Sequence, residues 1–94
     1  MDFDDLSAFP GGELIREGLD HLAHGIQSEA ALLVQIGAPR LRRLGFDVHD
    51  LDDGPPEHKL YELLSASDPD SAHSRYNALI RRLVSFERAV ECAG

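Results

Sequence analysis

Tyr76-Asn77-Ala78-Leu79-Ile80-Arg81-Arg82-Leu83-Val84-Ser85-Phe86-Glu87-Arg88-Ala89-Val90 is the stretch that decides the fold. Its apolar residues Tyr76, Leu79, Leu83, Phe86 and Val90 recur at alternating intervals of three and four. That is the period of a helix that packs along its whole length. Asp68-Pro69-Asp70 precedes it with a cap residue, a proline suited to the first helical position and an acid in the first turn. The spacing predicts a helix from Pro69 to about Glu91. In heptad terms Tyr76, Leu83 and Val90 take a, Leu79 and Phe86 take d, Arg75 and Arg82 take g, and Ile80 and Glu87 take e. Arg82 could pair with Glu87 of a parallel twin helix, worth only about 0.3–0.5 kcal/mol. Ile80 and Val84 widen the stripe beyond a two-stranded seam. The helix is therefore expected at the centre of a bundle, its stripe serving as core and as an interface that a second subunit could share.

Working outward, Pro56 opens a shorter helix to Ser65 with Leu60, Leu63 and Leu64 inward. Pro39 opens another to Leu44, with Leu41 and Leu44 inward, three arginines outward and Gly45 as its stop. Between them, residues 46–54 form an acidic loop with apolar pegs at Val48 and Leu51. Ser28 caps a helix from Glu29 to Ile36 that is apolar nearly all round, so it belongs in the middle of the fold. A buried strand is the alternative for Leu32–Ile36, but the cap, the paired alanines and Gly37 favour helix. A first helix runs from about Glu13 to His24, with Ile15, Leu19, Leu22 and Ile26 as its apolar set, Leu14 and Ala23 widening it and Gly25 closing it. No strand alternation occurs. The expected fold class is all-α: a compact five-helix bundle with a long C-terminal helix. Residues 1–9 read as a flexible acidic arm, which Phe3, Leu6 and Phe9 could pin to the core, and residues 10–94 as a single helical domain.

A chain of 94 residues makes one domain with a thin stability margin. The lone Cys92 excludes an internal disulfide and suits a reducing, cytoplasmic setting. The acidic first residues are the reverse of a signal-peptide start, and no apolar run reaches membrane-spanning length. Eight Arg against one Lys hints at a GC-rich bacterial genome. The net charge of −8 is uneven: residues 1–37 sum to −6, 38–46 to +3, 47–70 to −7 and 71–94 to +2. Such a field repels nucleic acid at long range.

Three constellations are candidates for a site. His73, Asn77 and Arg81 form an i, i+4, i+8 row beside Tyr76, and together they make a candidate ligand-binding set. Arg40, Arg42 and Arg43 are candidates for contact with an anion or a partner. The two helices joined at Gly37 make no proper helix-turn-helix, because the second, which carries these arginines, is too short to read a groove. His21 and His24 lie on one helix, four residues after Glu17 and Asp20 respectively, but no second His pair completes a metal site. The 46–54 loop fails the calcium-loop spacing. No catalytic residue, metal or cofactor is called for by any motif.

Arg16 and His21 fit the Arg-x4-His spacing and in this resemble the HEPN ribonuclease superfamily, which is all-helical and dimeric. The match covers six residues, on the first helix rather than a late one. It implies a composite site across a dimer, with His21 as acid–base and Arg16 on the phosphate. The residues themselves favour a small cytoplasmic interaction module without catalysis, self-associating as a homodimer or joined to a protein partner, with no membrane role. A nucleic-acid-associated regulator using the Arg clusters is the alternative.

Overall fold

The computed structural model describes residues 6, 8–49 and 54–93. Five helices follow one another: α1 (Gly12–Ala23), α2 (Glu29–Ile36), α3 (Ala38–Arg43), α4 (Pro56–Ser67) and α5 (Ala72–Ala93). No strand occurs among the described residues. The fold is all-α, and α2 is its axis, touching each of the other four helices. Its sequence explains that place. Ala30, Ala31, Leu32, Leu33 and Val34 are all buried, so no face of the helix is left for water. Ser28 Oγ accepts from Ala31 N–H at 3.1 Å and closes its first turn.

Helix α1 lies against α2 at Gly18, where a side chain has no room. A Cβ there would stand 2.3 Å from the Ala30 carbonyl oxygen and 2.5 Å from Val34 Cγ2. Ile15 and Leu22 pack on either side of this close approach. Gly25 then turns left-handed at φ 70°, and the chain leaves the helix axis. Ile26 is consequently 49% exposed rather than part of the α1 apolar set, and Ala23 is exposed as well.

On α5 the buried side chains are Ala72, Leu83, Phe86, Glu87 and Val90. Tyr76, Leu79 and Ile80 are half-buried against the same core. Phe86 is its centre: Phe46 and Phe9 rings stand 5.7 and 6.0 Å from it. The stripe thus packs within one chain. Each such Leu or Phe contributes about 1.5–3 kcal/mol by leaving water. The helix begins at Ala72, three residues later than the Pro69 start. Asp68 is the reason: its carboxylate accepts from Asp70 N–H at 3.2 Å and Ser71 Oγ–H at 2.8 Å, holding 69–71 in a turn. The first helical bond runs from Arg75 N–H to the Ser71 carbonyl.

Helix α4 turns Leu60 and Leu64 inward, whereas Leu63 remains 39% exposed on its flank. Leu6, Phe46 and Val48 are buried. Phe3 and Leu51 lie outside the described residues, as does most of the acidic arm.

Candidate functional site

Two polar clusters close the ends of α2. At its N-terminal end four helices contribute. His21, from the last turn of α1, places Nδ1 2.6 Å from Ser28 Oγ. Its Nε2 stands 3.9 Å from Glu17 Oε1, one turn back. The next residue, Glu29, accepts from Arg75 Nη2 of α5 at 3.1 Å. Arg75 Nη1 donates to Ser67 Oγ at the end of α4, 2.9 Å away. Acid at the first turn of α2 suits the positive end of its dipole. Glu17, Ser28 and Glu29 share with Leu14 and Ala30 the wall of a hollow of about 280 Å³.

At the other end, Gly37 closes α2 and opens α3. A Cβ on Gly37 would come within 2.8 Å of Leu83 Cδ1 and 3.2 Å of Glu87 Oε2. The missing methyl leaves room for the Glu87 side chain, which is only 4% exposed. Burial pushes the Glu87 carboxyl above the usual carboxylate range, against the pull of Arg40. Arg40 Nη1 stands 3.7 Å from Glu87 Oε1. Its Nε and Nη2 donate to Glu91 at 3.2 and 2.7 Å. This two-pronged contact holds Glu91 below its ordinary range. Among the described residues no buried side-chain nitrogen or oxygen lacks a hydrogen-bond partner.

The residues singled out in the sequence are dispersed. On α5, His73 Nε2 lies 3.2 Å from Asn77 Nδ2, both facing outward. Tyr76 turns away from them to the ring of Tyr61 on α4, 5.9 Å off. Arg81 is exposed, so the row forms no enclosed pocket. Of the arginine trio, Arg40 is engaged by Glu87 and Glu91. Arg42 Nη2 donates to the Val48 carbonyl at 2.9 Å and fastens the chain after α3. Arg43 is exposed, with its charge near Glu87 and Glu91. Arg16 shares a surface groove with Glu13, Glu17 and Asp20, while His21 is turned to Ser28. Five residues separate the two by about 140° around the helix. His24 Nδ1 lies 2.8 Å from the Asp20 carbonyl and ends the helix. Among the described residues no three His, Cys, Asp or Glu side chains gather to hold a metal ion. The middle of the 46–54 loop lies outside the described residues.

Two site residues escape sequence reasoning. Ser28 is legible as a cap, but its contact with His21 spans a turn whose path only Gly25 sets. Glu87 reads as a solvent charge beside the stripe; the signal for its burial is Gly37, fifty residues away. Neither family models, curated proteins nor solved structures provide a match to this chain.

Proposed function

We propose that the protein is a small cytoplasmic interaction module that associates with a second copy of itself. The observation that carries this is the apolar surface left on α4 and beside α1. Tyr61 is 41%, Leu63 39% and Ile26 49% exposed. Leu63 also borders, with Leu32, a hollow of about 330 Å³ rimmed by Gln27, Lys59 and Glu62. That hollow, apolar at Leu63 and Leu32 and polar at its rim, suits a protein contact, while Tyr61, two residues away and so about 160° around the helix, offers its exposed ring edge on the other flank of α4. Leu83, Phe86 and Val90 of the α5 stripe are buried within the chain, so this reading assigns association to α4. No helix among the described residues is long and apolar enough to cross a membrane, and the exposed thiol of Cys92 suits a reducing setting.

Light scattering from about 1 to 100 µM tests the proposal. The mass of the parent should rise toward that of a dimer. Tyr61→Ser with Leu63→Ser should remain monomeric with its helix content intact, since neither side chain is core. A parent that stays monomeric over the whole range overturns self-association.

A further inference from the structure

We propose that Ser28 is a reactive nucleophile with His21 as its base, and that the hollow beside it accepts a short acyl ester carrying no negative charge. The proposal goes beyond binding. Both side chains belong to one chain, so its test reads the same in a monomer or a dimer.

The contact of 2.6 Å between Ser28 Oγ and His21 Nδ1 carries the argument. Ser28 Oγ accepts from Ala31 N–H at 3.1 Å, so its own hydrogen is available to the neutral imidazole and one lone pair remains for attack. A hydroxyl held against a base in this way is the arrangement that makes serine nucleophilic. Glu17, 3.9 Å beyond Nε2, faces the positive charge that the ring gains when it takes the proton.

The hollow of about 280 Å³ sets the substrate class. Leu14 and Ala30 supply an apolar wall for a short acyl chain. Glu29 is neutralised by Arg75 at 3.1 Å, so the exposed Glu17 carboxylate sets the charge at the opening; it disfavours carboxylate and phosphate esters and admits neutral or cationic ones. The N–H groups of Glu29 and Ala30 come first in α2 and have no acceptor within the helix, so they are available to a carbonyl oxygen as it becomes negative.

The reaction balances as hydrolysis. Ser28 Oγ bonds to the ester carbonyl carbon as its proton passes to His21 Nδ1. The tetrahedral species collapses, the alkoxide leaves with that proton as an alcohol, and Ser28 is acylated. Water then attacks the acyl carbon, giving a proton to Nδ1. The carboxylic acid departs, and the proton returns to Ser28 Oγ.

The test uses the full chain with Cys92→Ala, so that the exposed thiol consumes no reagent. A fluorophosphonate probe is applied, its attachment site is found by mass spectrometry, and hydrolysis of p-nitrophenyl acetate is followed in parallel. Ser28 should be labelled at least about 100-fold faster than the exposed Ser74 and Ser85. Ser28→Asn retains a capping acceptor and should lose both label and acetate turnover. His21→Gln keeps a hydrogen-bonding side chain and should slow labelling about 100-fold at unchanged melting temperature. Labelling of Ser28 at the rate of Ser74, or His21→Gln labelled like the parent, overturns the proposal.

Discussion

The two ends of α2 are closed by opposite chemistry. At the N-terminal end a hydroxyl, an imidazole and a carboxylate–guanidinium pair meet around Ser28 and Glu29, half in solvent. At the C-terminal end Gly37 admits the Leu83 methyls and the Glu87 carboxylate into the interior, with Arg40 as counter-charge. The first end is half in solvent and can exchange its partners with water. The second is packed, and its polar groups act on stability. The difference rests on two glycines. Gly18 holds α1 against the backbone of α2, while Gly37 holds α5 against it through side-chain ends.

Leu83→Ala should have the largest effect at the packed end. Leu83 is buried over Gly37, and truncation there costs about 2–5 kcal/mol. Denaturant titration checks this. Gly37→Ala alone should cost about 1 kcal/mol, because the new methyl meets mobile Leu83 methyls and a carboxylate end. In a Leu83→Ala background the same methyl enters vacated space, so its cost should shrink or reverse. Simple additivity of the two would show that Gly37 and Leu83 do not share this volume.

Gly18→Ala tests the other glycine. The added methyl meets the Ala30 backbone carbonyl at 2.3 Å, and backbone cannot swing aside as a methyl does. α1 has to move away from α2, at about 3 kcal/mol. A cost no greater than that of Gly37→Ala would break the contrast between the two contacts.

Ser28→Ala should remove the cap at the open end, costing about 1 kcal/mol, with Ser28→Asn restoring most of it. Chemical denaturation of both variants gives the comparison. Equal losses would mean that the contact with His21, rather than the cap, carries the stability.

These pairs also show why the fold was legible and the site was not. Local signals favoured helix over a buried strand for α2: a Ser cap, paired alanines and a closing glycine. The α5 stripe was equally plain, because helical period alone places Leu83, Phe86 and Val90 on one side. Its start was obscured by Asp68, whose carboxylate serves the turn rather than the helix. The polar clusters follow no period. Ser28 reaches His21 across a left-handed turn, and the burial of Glu87 depends on a methyl absent from another helix. Ile26 and Leu63 err in the reverse sense: pattern assigned them inward, and the turn at Gly25 and the flank of α4 left them in water.

The smallest effect concerns pH, and it separates the two carboxylates of the packed end. Glu87 is raised by burial. Its favourable contribution is therefore complete below the ordinary value of 4.5 and is lost as pH rises through its higher folded value. Glu91 is lowered by the hydrogen bonds from Arg40. Its contribution is present above 4.5 and is lost as pH falls through its lower folded value. The two windows adjoin, so this pair favours greatest stability near the ordinary carboxylate range, with a decline on either side. Glu87→Gln should remove the alkaline decline, leaving the variant at least as stable as the parent at pH 7 and no better near pH 4. Glu91→Gln should remove the acid decline and be the less stable at pH 7. Melting temperatures across that range decide it: if Glu87→Gln loses stability at pH 7, the pairing with Arg40 outweighs the cost of burying the charge, and the packed end is held by its ion pair rather than strained by it.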